Sequence, residues 1–322
     1  MSAPAMSDPG PQFDRPVAPG GYAWWYVDAL SDDGSHGLTL IAFIGSVFSP
    51  YYAWARRRSG AQRPADPLHY CAINVALYGA SGKRWSLTER GRSSLQRNAD
   101  SLVIGPSSLA WDGNALTVQI DEVTAPFPSR IRGFVRLHPL ALVDNPMALD
   151  AEGQHHWRPI APCARVEVSL THPALRWSGP GYLDSNAGHG PLEDAFSDWT
   201  WSRANVHGGT AVLYDVNRRL GGKFSLAMRF DPTGAIEHFA PPSVIDLPGT
   251  GWRVKRETRS DNGYTATVLK TLEDTPFYAR SILSSHLLGE SVTAMHESLS
   301  LDRFRARWVQ MLLPFRMPRA WG

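Results

Sequence analysis

An all-β fold of antiparallel strands follows from three features of this sequence. Apolar side chains recur at every second position, turn-forming residues close each such run, and the middle of the chain holds no amphipathic helix of a dozen residues. Ile73, Val75 and Leu77 make the first clear run. Leu116, Val118 and Ile120 then alternate with Thr117, Gln119 and Asp121, and Val166, Val168 and Leu170 with Arg165, Glu167 and Ser169. Phe224, Leu226, Met228 and Phe230 repeat the pattern, as do Tyr264, Ala266 and Val268. Gly113-Asn114, Gly221-Gly222, Asp231-Pro232 and Asp261-Asn262-Gly263 punctuate these runs, and each pair or triplet favours a reversal of the chain. Successive strand side chains point to opposite faces, so this pattern predicts sandwiches or barrels with few short helices.

The chain is long enough for two domains, and a weak internal echo divides it. Trp24-Trp25-Tyr26-Val27-Asp28 leads into the strand-like Leu38–Phe43 segment, and Trp199-Thr200-Trp201-Ser202-Arg203 leads through Gly208-Gly209 into Thr210–Tyr214. The expected organisation is a disordered leader over 1–20, β domains over 21–178 and 199–322, and a connecting active-site loop over 179–198. The leader is rich in Pro, Ala, Ser and Gly and lacks the basic and apolar regions of a signal peptide. Residues 37–55 carry no charge, but Gly45 and Pro50 interrupt them, which argues for a buried strand and surface loop over a membrane span. Phe48 to Trp54, followed by Arg56-Arg57-Arg58, also reads as an apolar lip against anionic headgroups. Near the C-terminus, Phe304, Trp308 and Leu312 fit a helix, whereas Arg303, Arg305 and Arg307 alternate with Phe304, Ala306 and Trp308; a strand followed by a short helix or loop is expected.

Composition narrows the function. Apolar residues make up 43% and charged residues 19%, which requires a folded core. A formal charge of +2 argues against a nucleic-acid surface. Cys71 and Cys163 lie far apart without metal spacing and read as reduced core thiols of a cytoplasmic protein. No phosphate-binding loop, dinucleotide fingerprint or nucleophile elbow occurs. His207-Gly208-Gly209 reads as a hairpin turn, and the adjacent His155 and His156 would point to opposite strand faces. No cofactor and no metal are expected.

Chemistry concentrates in Gly179-Pro180-Gly181-Tyr182-Leu183-Asp184-Ser185-Asn186-Ala187-Gly188 and the segment running through Pro191-Leu192-Glu193 to Arg203. A carboxylic acid among aromatic rings stays protonated near neutral pH and suits a reaction that forms a carbocation. An Asp before Ser-Asn is more often a turn former bonded to its own backbone, and Glu193, Asp194, Asp198 and Asp28 are rival acids.

This loop, the Trp199–Ala204 and Trp24–Ala29 segments, Ser49–Arg56, and Arg84-Trp85-Ser86-Leu87-Thr88-Glu89-Arg90-Gly91 resemble the bacterial carotenoid 1,2-hydratases, or hydroxyneurosporene synthases. The likeness runs from about Gly20 to Arg319. It implies two lipocalin-like β domains and cofactor-free addition of water across the terminal C1–C2 double bond of acyclic carotenes such as neurosporene and lycopene. His155, Trp157, Tyr182 and Asp184 match the positions the family associates with catalysis. On that reading Asp184 protonates C2, and Tyr182 hydrogen-bonds or reloads it. Trp157 faces the cation, and His155 orients water or takes its proton. A bilayer-borne substrate implies peripheral membrane contact. A non-catalytic isoprenoid carrier, and a terpenoid or polyketide cyclase or isomerase, remain alternatives.

Overall fold

The structure, a computed structural model, describes residues 10–59, 64–79 and 82–320. Two antiparallel sheets dominate it. The first holds 12 strands, and its order places Arg84–Arg90, Cys71–Gly79, His36–Ile44, Tyr22–Leu30, Ala174–Gly188, His155–His172 and Arg130–Pro139 side by side. It continues through Leu116–Val123, Ser107–Trp111, Ser101–Ile104 and Leu95–Arg97, with Met147–Ala148 attached to the His155–His172 strand. The sheet curls until Arg84–Arg90 meets Leu116–Val123, where buried Arg90 and Glu122 pair at 2.8 Å. The second sheet has 7 strands and centres on Phe196–Val206, between Gly209–Arg218 and Glu290–Ser300. A two-stranded ribbon, Ser243–Leu247 with Arg256–Ser260, accompanies it.

Alternation explains how these sheets fit together. Along Tyr22–Leu30, Ala23, Trp25, Val27 and Ala29 enter the interior of the first sheet with Leu38, Leu40, Ile73 and Val75. Tyr22, Trp24 and Tyr26 face the other way, into an aromatic cluster shared with Trp199, Trp201, Tyr214 and Phe230 of the second sheet. Both faces of this strand are therefore covered, which is why it reads as a nearly continuous apolar run. The second sheet encloses a smaller core around Ala204, Leu213, Leu283 and Ala294.

Several expectations need correction. Residues 179–188, expected as a loop, complete the strand Ala174–Gly188. Their glycines relieve crowding: a Cβ on Gly179 would lie 1.8 Å from the Leu30 carbonyl oxygen, and one on Gly181 would lie 2.2 Å from Val166 Cγ2. The chain then crosses to the second sheet through Leu192–Ala195, a single helical turn.

The expected disordered leader is ordered over its described part, while residues 1–9 lie outside the described residues. Phe13 is fully buried against Trp25, whose Nε1 donates to the Pro11 carbonyl at 2.9 Å. The segment after the His36–Ile44 strand, expected as a surface loop, forms a helix, Pro50–Arg58, capped by the Ser49 hydroxyl. Tyr52 turns inward to donate to the Gly21 carbonyl, and Arg56 pairs with Glu193. At the C-terminus helices run over Leu301–Arg305 and Arg307–Leu312 where a strand was expected. Phe304 from the first helix, Val309 from the second and Leu313 from the turn after it are buried in the aromatic core, and that burial outweighs the local alternation of arginines. Cys71 and Cys163 are separate buried thiols, and His207-Gly208 forms the turn of the hairpin joining Phe196–Val206 to Gly209–Arg218.

Candidate active site

Asp184 lies on the Ala174–Gly188 strand with Tyr26 opposite it on one side and Pro159 on the other. Register shifts at Pro159/Ala161 and Ala161/Ala164 mark bulges in the His155–His172 strand. They leave Trp157 on the face between the sheets while Ile160 and Ala161 enter the first core. Asp184, only 4% exposed, accepts two hydrogen bonds on a single oxygen: Trp157 Nε1 donates to Oδ2 at 2.7 Å and the Tyr182 hydroxyl at 2.8 Å. Its Oδ1 is buried and has no hydrogen-bond partner among the described residues.

Burial drives the electrostatics. Loss of solvent raises the Asp184 carboxyl to about 8; the Trp157 and Tyr182 donors pull against that rise, and nearby Glu297 and Asp28 reinforce it. Burial likewise holds the Tyr182 hydroxyl well above its ordinary value, so it remains a donor. With two donors on Oδ2, the neutral carboxyl carries its proton on Oδ1.

That oxygen belongs to a residue lining a cavity of about 30 Å³, walled also by Trp24, Tyr26, Asn186, Trp199, Trp201, Tyr214 and Glu297. Asn186 Nδ2 donates to the Tyr214 hydroxyl at 3.1 Å, fixing one edge of the wall. A larger cavity of about 270 Å³, rich in Phe43, Phe48, Trp85 and Phe277, shares Trp24, Tyr26, Trp199 and Glu297 with it. The two adjoin across this shared wall and together outline an aromatic passage, of which Asp184 lines the smaller part. The aromatic-led segments that echo each other in sequence thus meet here, Trp24 lying 6.0 Å from Trp199.

The four expected site residues divide. Asp184, Tyr182 and Trp157 come together, but Trp157 offers its N–H to the carboxyl, and its ring packs on Tyr214 and Phe230. The rings along the passage are instead Trp24, Trp199, Trp201 and Tyr26. His155 stands apart: Nδ1 bonds the Tyr22 hydroxyl at 2.9 Å and its ring meets Phe196. Burial lowers its pKa, which keeps the imidazole neutral at pH 7.

The rival acids are all engaged by polar partners. Asp28 pairs with Arg203 at 2.8 Å and Arg280 at 3.2 Å, and Glu193 with Arg56 at 3.1 Å. Asp194 is exposed and 3.9 Å from Arg305, and Asp198 accepts from Asn217. Glu297, which sequence reading missed, bonds the Tyr26 hydroxyl at 3.0 Å and pairs with Arg280. Burial raises its carboxyl although Arg280 opposes that. No motif surrounds Glu297; only its place in an alternating run marked it as facing a core. Among the described residues no three His, Cys, Asp or Glu side chains gather at metal-binding distances.

Fold and site define the class: a lipocalin-like β protein whose aromatic passage closes on a neutral, water-poor acid. The family model for carotenoid hydratase CrtC matches residues 40–322, and the chain belongs to that family. It is 58% identical to the acyclic carotenoid 1,2-hydratase of Thiocapsa roseopersicina, over 100% of this chain and 79% of that protein. It is 54% identical to that of Rubrivivax gelatinosus, over 96% of this chain and 76% of that protein. A solved AttH-type structure from Nitrosomonas europaea aligns at a TM-score of 0.58 and 14% identity, covering 87% of this chain and 92% of its own. That likeness is one of fold.

Proposed function

We propose that this chain hydrates acyclic carotenes such as lycopene or neurosporene, adding water across the terminal C1–C2 double bond. The observation that carries this reading is the neutral carboxyl of Asp184 in an aromatic cavity, its Oδ1 without a hydrogen-bond partner among the described residues. Oδ1 gives its proton to C2, and the electron pair of the double bond forms the new C–H bond. A tertiary cation is left at C1. Ring faces of Trp24, Trp199 and Trp201 stabilise it, each contact being worth about 2 kcal/mol where water is excluded. Water attacks C1, and the proton it sheds returns to the Asp184 carboxylate, so the cycle closes on the protein's own atoms. Tyr182 and Trp157 hold Oδ2 and aim Oδ1. His155 positions Tyr22, which stacks on Trp24 at 5.0 Å and thereby supports the passage wall.

Two domains are proposed with boundaries revised to the strands: 22–188 for the first sheet and 196–300 for the second, the passage running between them. The substrate partitions into lipid, so the protein works in the cytoplasm in peripheral contact with a bilayer. No helix among the described residues is long and apolar enough to cross one.

The test is to supply lycopene to the purified protein in liposomes, without oxygen or added cofactors, and weigh the product. A gain of one water supports hydration. Unchanged mass with an altered isomer would point to isomerisation, and carotene bound but recovered unchanged would point to a carrier.

A further inference from the structure

The C-terminal helices present an apolar stripe outward. Along Arg307–Leu312 and the following turn Leu313–Phe315, Val309 and Leu313 are buried. Trp308, Met311, Leu312 and Phe315, spaced i, i+3, i+4 and i+7 on the opposite side, are 46%, 74%, 42% and 69% exposed. A helix packed on a core ordinarily turns polar residues outward, so this face is inverted. Trp252 stacks on Trp308 at 6.1 Å and extends the patch. Trp54 adds to it from the Pro50–Arg58 helix, which is tied to this region by Arg57 Nη2 donating to Gln310 Oε1 at 3.4 Å.

Two further observations identify the occupant. Trp252 and Leu312, both exposed, also line the large cavity, so its mouth opens within this patch. The surrounding cations lack acids: Arg57, Arg58, Arg253 and Arg307 are exposed and form no ion pair among the described residues. Of the nearby acids, Asp302 is engaged by Arg219, Glu193 by Arg56 and Asp194 by Arg305, and Asp274 accepts from the backbone N–H groups of Gly251 and Trp252. A ring of uncompensated guanidiniums around exposed Trp, Phe, Leu and Met matches the headgroup and acyl layers of an anionic bilayer.

We propose that this face, and not the Phe48–Trp54 segment by itself, docks the protein on anionic lipid, seating the cavity mouth against the membrane so that a carotene end group enters without crossing water. The proposal rests on the hydratase reading for the identity of the cargo, but the docking surface is tested separately. The full chain is mixed with phosphatidylglycerol/phosphatidylcholine vesicles and bound protein is measured by flotation.

Met311→Ser with Phe315→Ser, two exposed positions outside the cavity wall, should weaken binding at least tenfold. Arg58→Glu with Arg307→Glu should do the same and abolish the dependence on phosphatidylglycerol. Phe127→Ser, at an 85% exposed position remote from this face in the first sheet, should leave binding unchanged. Both double variants should hydrate detergent-dispersed lycopene at the wild-type rate while losing turnover from vesicles. Wild-type affinity in both double variants, or no vesicle binding by the wild type, overturns the proposal. So does a wild-type dimer that the Met311/Phe315 pair dissolves, since a second copy would then cover the patch. Vesicle binding that fails in the variants, together with no hydration by the wild type in detergent, would retain the docking face and sink the hydratase reading instead.

Discussion

Two copies of one short pattern lie side by side in this protein and behave as opposites. Tyr26-Val27-Asp28 and Tyr182-Leu183-Asp184 sit on neighbouring antiparallel strands in crossed register, Tyr26 opposite Asp184 and Asp28 opposite Tyr182. Both aspartates are buried. Asp28 meets two guanidiniums, Arg203 and Arg280, and serves as an anchor between the sheets. Asp184 meets only neutral donors, and burial makes it an acid. The difference lies in which partners reach the carboxyl from the second half of the chain. Arg203 and Arg280 face one aspartate and leave the other alone.

The sharpest way to break this contrast is to neutralise each aspartate in turn. Asp184→Asn should cut turnover by roughly 10²- to 10⁴-fold, the usual worth of a positioned general acid, without loss of folding stability. Retained turnover would end Asp184's role. Asp28→Asn should do the reverse to the fold. It strips buried Arg203 of its ion-pair partner and leaves Arg280 with Glu297 alone, and urea denaturation should register a loss of about 3–5 kcal/mol.

Arg280→Met carries the same logic further. Asp28 and Glu297 lose a shared cation, so stability should fall by a comparable 3–5 kcal/mol. The uncompensated negative charge should also move the high-pH limb of activity upward, because both carboxylates already raise the Asp184 carboxyl.

The pH dependence probes the Asp184 carboxyl without large structural change. Wild-type turnover should fall as pH rises through about 8, where Asp184 ionises. Stability carries the same signature. An unfolded Asp184 gives up its proton near 3.8 and the folded one near 8, so between those values the unfolded state binds fewer protons. The wild type should therefore lose stability relative to Asp184→Asn across that window and level off above it. Parallel stability curves for the two proteins would mean an ionised, solvated carboxylate.

The smallest effect is expected from the neutral donors. Tyr182→Phe or Trp157→Phe removes one hydrogen bond of about 0.5–1.5 kcal/mol and should slow turnover by up to about tenfold. Since both donors pull the Asp184 carboxyl down, losing either should shift the high-pH limb upward. A downward shift would show that they favour the neutral form.

Much of the fold was legible because period-two alternation is a local property: Leu116 to Asp121 and Val166 to Leu170 reveal their faces without reference to anything distant. The active-site strand was misread because Gly179 and Gly181 look like turn residues, and only the approach of Leu30 and Val166 explains them. The C-terminal arginines suggested a strand until the burial of Phe304, Val309 and Leu313 settled the period. Asp184, Tyr182, Trp157 and His155 were proposed through a family motif, and the structure gathers the first three while His155 contacts Tyr22 and Phe196; Glu297 carried no motif.

By itself, then, the sequence determined the strands, the aromatic content of the passage and the presence of a candidate acid, because side-chain alternation and composition act over a few residues. Tertiary structure alone decided which aspartate meets cations and which meets only neutral donors. A carboxyl's charge is set by the nearest cations and by water, and here those cations come from residues 203 and 280, brought in by the packing of one sheet on the other.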